Sequence, residues 1–149
     1  MTVVVDVSVE SGRLPIARAT VAAAVEAVLR AEHERNAMFS VTFVTTRAMQ
    51  RINVRTFGRR APTDVISLGS RTPSNGFLVG DIYVAPDVAR ENARREGLGV
   101  RDELLRLVVH GVLHAIGYDH PEGDERTSSP MWRRQERLVG RLRRSLVRT

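Results

Sequence analysis

The chain has 149 residues, enough for one domain that buries roughly two-thirds of the surface its unfolded form exposes. A hydrophobic fraction of 42% and a charged fraction of 27% exclude disorder and a membrane-embedded class, and the absence of cysteine excludes disulfides and thiolate metal ligands. The net charge is +6 with a pI near 11.2, and all 23 basic residues are arginine, so the surface suits a polyanion such as nucleic acid. Compositional bias accounts for the missing lysine but not for the positive excess, which also serves solubility.

Residues 1–7 lack a basic leader, and Asp6 interrupts their apolar run, so neither a signal peptide nor a membrane span is expected and a cytoplasmic location follows. Residues 2–9 are β-branched and partly alternating, which predicts a strand with Val3, Val5 and Val7 on one face, ending at Ser11-Gly12. Residues 15–33 are alanine-rich, with Val21, Val25, Val28 and Leu29 at helical spacing, which predicts an amphipathic helix against a sheet. The region of Asn36 ends it. Residues 38–45 alternate Phe39, Val41 and Phe43 against Ser40, Thr42 and Val44 as a second strand, and Thr46 is expected to cap a short helix through about Val54.

Residues 58–62 form a basic turn and residues 65–68 a short strand, and Pro73-Ser74-Asn75-Gly76 turns into a strand over 77–84, so the last two strands should pair as a hairpin. Pro86 opens a helix that Gly97 stops. A longer helix begins near Arg101. Its apolar residues Leu104, Leu105, Leu107, Val108, Val109, Val112, Leu113 and Ile116 cover most of the circumference, the mark of a buried central helix. After a loop over 121–129, a last helix runs from about Pro130 with Met131, Leu138, Leu142 and Leu146 as its apolar stripe. Its other face carries Arg133, Arg134, Arg137, Arg141, Arg143, Arg144 and Arg148. A solvated face outweighs a nucleic-acid patch as the reading of that run.

Three of the four histidines sit in the run His110-Gly111-Val112-Leu113-His114-Ala115-Ile116-Gly117-Tyr118-Asp119-His120. The spacing i, i+4, i+10 with glycine at i+7 is the frame of the metzincin zinc motif. Residues four apart share a helix face, so His110 and His114 address one point, and a left-handed turn at Gly117 brings His120 to it. Three protein ligands leave one vertex of a tetrahedron open for water, whose pKa zinc lowers to about 7. A zinc protease carries glutamate directly after the first histidine as its general base, and here that residue is Gly111. Either the zinc-bound water acts unaided, or a base comes from Asp119, Glu122, Asp124, Glu125 or the substrate; the catalytic residue is otherwise unassigned. Asp119 reads equally as a ligand-orienting group and as a loop cap. His33, in a glutamate-flanked polar stretch, reads as an ordinary exposed residue.

The histidine run resembles the signature of the YbeY family of zinc-dependent endoribonucleases, bacterial factors of ribosomal RNA maturation. Pro62-Thr63-Asp64-Val65-Ile66-Ser67 is similar to the family's proline-threonine-aspartate-valine-leucine-serine segment and Gly80-Asp81-Ile82 to its glycine-aspartate-isoleucine strand. Ile52-Asn53, Met131 and Glu136 also fit. The resemblance implies an α+β fold, a single domain over 1–149 with a small mixed four-stranded sheet flanked by helices and a buried central helix carrying the metal ligands. It implies one Zn2+ on His110, His114 and His120, and cleavage of single-stranded RNA at the 3′ end of the small-subunit ribosomal RNA. Neither a membrane partner nor a dinucleotide cofactor is expected.

The family's aromatic-arginine pair before the proline is replaced by Thr56 and Phe57, and a usual aspartate by Arg60. Arg55, Arg59 and Arg60 flank the gap and are expected to meet phosphate in place of the missing arginine; a solvated basic turn is the competing reading. Two other functions compete with the endoribonuclease. One is a metallopeptidase or other zinc hydrolase, and the other a ribosome-associated RNA-binding protein with a structural metal.

Overall fold

The computed structural model describes residues 2–147, with side chains through Ser145. Alternating valines build the first strand, β1 (Thr2–Val9), with Val3, Val5, Val7 and Val9 turned toward the core. The alanine-rich segment forms α1 (Arg18–Ala31), and the phenylalanine-valine alternation forms β2 (Asn36–Phe43). Then follow α2 (Thr46–Phe57), β3 (Val65–Arg71), β4 (Leu78–Val84), α3 (Pro86–Glu96), α4 (Val100–Ile116), a 3-10 turn (Gly123–Ser128) and α5 (Pro130–Val147). The sheet runs β1-β2-β4-β3. β1, β2 and β4 are mutually parallel, and β3 joins β4 as an antiparallel hairpin, so the expected α+β class and mixed four-stranded sheet are observed.

One face of the sheet presents Phe39, Val41, Phe43 and Ile82, all fully buried in one core with Val25 and Leu29 of α1 and Leu104, Val108 and Val112 of α4. α4 packs against β3, β4, α1, α3 and α5, which is why nearly all of its circumference is apolar. Its contact with β3 is close enough that a Cβ on Gly69 would lie 2.8 Å from Ala115 Cα, so only glycine fits there. A smaller cluster of Val44, Met49, Ile66 and Ala85 joins α2 to the opposite face of the sheet. Among the described residues no helix is long and apolar enough to cross a membrane.

Several expected boundaries move for identifiable reasons. α1 begins at Arg18 rather than 15, because Ala17 is still extended at its N-cap position. β2 begins at Asn36, two residues early, in register with Thr2 of β1. The cap of α2 is Thr45, not Thr46: Thr45 is extended and its hydroxyl accepts from the Ala48 N–H at 3.1 Å. The same helix runs past Val54 to Phe57, where Gly58 ends it in the left-handed conformation at φ 67°. β3 extends past residue 68 to Arg71 because it pairs with the whole of β4. The loop over 121–129 contains the 3-10 turn, whose Thr127 and Ser128 hydroxyls donate to the carbonyls of Asp124 and Glu125. Arg148 and the Leu146 side chain lie outside the described residues. Within the arginine face of α5, Arg134 pairs with Glu32 at 2.6 Å and Arg143 with Asp102 at 3.1 Å, so part of that run is internal wiring.

Candidate metal centre

His110 and His114 occupy successive turns of α4 on one face, with ring centroids 4.6 Å apart in an edge-to-face arrangement. Gly117 closes the helix at φ 130°, where L residues are strained, and its N–H together with that of Tyr118 donates to the Leu113 carbonyl. This turn carries the chain back, and His120 arrives with its ring 5.1 Å from His110 and 4.8 Å from His114. Each histidine can offer one ligand atom to a shared point, and all such atoms lie within 4.8 Å of one another.

The orientation of the rings is set from behind. His110 Nδ1 meets Gln135 Oε1 at 2.7 Å, His114 Nδ1 meets the Tyr118 carbonyl at 3.0 Å, and His120 Nδ1 meets the Pro121 carbonyl at 2.9 Å. Carbonyl oxygens only accept, so each Nδ1 carries the proton and each Nε2 presents its lone pair. Gln135 is buried, and its amide donates to Glu136 Oε2 at 3.0 Å. Glu136 in turn accepts from Arg106 through Nε at 2.9 Å and Nη2 at 3.0 Å. The hydrogen-bonded line thus runs from His110 through α5 to Arg106.

Burial drives the His110 imidazole down to about 4, against the opposing hydrogen bond that it donates to Gln135, and the neighbouring His114 and His120 push the same way as burial. Burial likewise lowers His114. Both are therefore neutral at pH 7, the form that ligates. Three imidazoles with satisfied Nδ1 atoms, and no thiolate in the chain, would suit a borderline divalent ion such as zinc.

Gly111, where a protease has its general base, points away from the ligands: a Cβ there would sit 2.9 Å from Ile82 Cγ2. Its carbonyl also accepts a 2.5 Å hydrogen bond from the Ser67 hydroxyl. Asp119 Oδ1 accepts from the His120 N–H at 2.8 Å, the loop-cap role. Glu122, Asp124 and Glu125 are exposed and do not line the cavity that opens beside the histidines. That cavity, about 820 Å³, lies between α3, α4, the 3-10 turn and α5, with His110 and His120 in its wall.

Arg55, Arg59 and Arg60 stay outside that cavity. Arg55 borders a groove between α2 and the outer face of the sheet, and Arg60 joins Arg47, Arg51 and Arg55 along the basic side of α2. His33 is exposed as expected, in a turn at φ 61°. Sequence reasoning missed Gln135, Glu103, Arg126 and Trp132. Gln135 carried a signal, since it falls at helical spacing between Met131 and Leu138 on an otherwise apolar stripe.

The family model described as Endoribonuclease YbeY matches residues 6–143. A protein of that name from Persephonella marina is 32% identical over 143 residues, covering 94% of this chain and 93% of its own length. Another, from Kineococcus radiotolerans, is 42% identical over 112 residues, covering 69% of this chain; the match spans 63% of that relative. The solution structure of a Thermotoga maritima protein shares the fold at a TM-score of 0.64 and 26% identity, covering 93% of this chain and 88% of its own. With a match of this extent, and with similarity running through both the sheet and the histidine helix, the chain belongs to the YbeY endoribonuclease family.

Proposed function

We propose that this chain is a zinc-dependent endoribonuclease that cuts single-stranded RNA, acting as one domain over 1–149 in the cytoplasm on the 3′ end of small-subunit ribosomal RNA. The observation that carries the reading is the convergence of His110, His114 and His120 beside an open cavity, all three rings held from behind. Zinc, when bound, supplies Lewis acidity that stabilises charge on phosphate oxygens and acidifies water. The chain's own contribution is orientation: Gln135 and two backbone carbonyls hold the three rings in one tautomer before substrate arrives.

Phosphate is held elsewhere. From residue 46 to residue 60 the chain has five arginines and no acid, and Arg47, Arg51 and Arg55 repeat every four residues along α2. None of the five is ion-paired among the described residues. Arg55, Arg59 and Arg60 continue this track and take the role of the missing family arginine at Phe57. A metallopeptidase is disfavoured by Gly111, which faces Ile82 and has no room for a glutamate.

The test is metal analysis of wild type and His114→Ala, with both assayed on single-stranded RNA and on an unstructured protein. Joint loss of zinc and of RNA cleavage is expected. Proteolysis by the wild type would reverse the assignment to a peptidase, and stoichiometric zinc without turnover of either polymer would make the metal structural.

A further inference from the structure

The cavity beside the histidines differs in character from the arginine track on α2. Its wall carries four carboxyls, from Asp64, Glu96, Glu103 and Glu136, against three guanidiniums, from Arg95, Arg106 and Arg126. Such a mixed wall gathers phosphate less strongly than the acid-free arginine track does. It does offer what a nucleobase needs: an aromatic face and an unfilled hydrogen-bonding group. The face is Trp132, the chain's single tryptophan, partly exposed on the first turn of α5. The Arg126 guanidinium lies over its ring at 5.4 Å.

The unfilled group is Glu103. Glu103 is only 9% exposed yet lines the cavity, and its carboxylate has no hydrogen-bond partner among the described residues. Desolvation accordingly raises it above the usual carboxylate range, with Arg106 pulling the other way. Arg106 spends Nε and Nη2 on Glu136, while Nη1 is buried with no partner among the described residues. A largely buried carboxylate left without a partner on the cavity wall is costly unless something completes it. Among RNA bases, guanine matches such a carboxylate best, because its adjacent N1–H and N2–H donate side by side to one carboxylate.

We propose that the cavity is a nucleobase subsite in which a guanine of single-stranded RNA stacks on Trp132 and presents its Watson–Crick edge to Glu103. The inference rests on the endoribonuclease reading and adds a base preference at a position next to the metal. Arg126 covers the indole in the free protein. Because it sits on the exposed 3-10 turn, the entering base takes its place and frees the guanidinium for the adjoining phosphate.

Trp132 supplies its own reporter, since all tryptophan fluorescence comes from this residue. The zinc-loaded full chain is titrated with a uridine hexaribonucleotide and with the same oligomer carrying one guanosine. The guanosine oligomer is expected to quench the emission with about tenfold higher affinity, the worth of one good bidentate base contact. Glu103→Gln, which keeps the side chain's shape, should reduce that preference to less than about twofold while leaving bound zinc unchanged. Equal quenching by both oligomers, absence of quenching, or an intact preference in Glu103→Gln would each overturn the subsite. Cleavage of RNA with no guanine preference sinks the subsite alone. Guanine-dependent quenching without any cleavage upholds the subsite and sinks the nuclease.

Discussion

Gly111 lies between His110 and His114 in sequence, yet its Cα faces the sheet, where an added Cβ would press on Ile82 Cγ2 at 2.9 Å. The missing protease glutamate is thus a packing requirement of this fold, not the loss of a base. Gly111→Ala is expected to destabilise the protein by about 1–3 kcal/mol through overpacking, measured by urea unfolding; an unchanged midpoint would show that Ile82 yields freely. Gln135 acts on the site from the other side. Replacing it with leucine keeps the volume but removes the acceptor at His110 Nδ1, and zinc affinity in a chelator competition should fall roughly 10- to 100-fold with the helical signal preserved. Unaltered affinity would leave Gln135 a core residue only. The three histidines could be found from spacing alone because four residues on a helix is a local distance. For Gln135 the spacing marks a buried position but not its partner, because His110 is 25 positions away.

α4 and α5 run antiparallel and are tied by three polar links: Asp102 to Arg143, Arg106 to Glu136, and His110 to Gln135. Burial raises the Glu136 carboxyl, but the hydrogen bonds from Arg106 and Gln135 outweigh it and hold the group below its ordinary 4.5. Because the folded value is depressed, this link stabilises the protein fully above pH 4.5, and the contribution is lost as the pH falls through the folded value. Urea midpoints taken from pH 7 down to pH 3 should therefore drop in the acid limb. Glu136→Gln is expected to flatten part of that drop and to cost about 1 kcal/mol at neutral pH, a figure reduced for partial exposure. An acid limb identical to wild type would mean the link contributes nothing. At this scale the order and type of the elements were readable from hydrophobic period. Their ends were not: β2 starts at Asn36 and β3 continues to Arg71 because partner strands extend alongside them.

At the scale of the whole molecule, α4 joins the candidate site to the fold: it packs on the sheet and on two helices besides α1 while carrying His110 and His114. An ion that binds only the folded chain should stabilise it by about 2.7 kcal/mol at a free concentration one hundred times its Kd. For a domain of this size that is a rise in Tm of roughly 5–10 °C. His114→Ala should abolish the rise, and a zinc response that persists in this variant would place the ion elsewhere. By itself the sequence determined what depends on neighbours along the chain: four strands, a buried central helix, and a cluster of imidazoles with no thiolate to compete. Tertiary structure decided what depends on residues far apart. It put Ile82 against Gly111, Gln135 behind His110, Trp132 beside a cavity, and the α2 arginines outside it. Hydrophobic period and helical spacing are properties of one segment, whereas the shape and charge of a cavity are made only when several segments pack together.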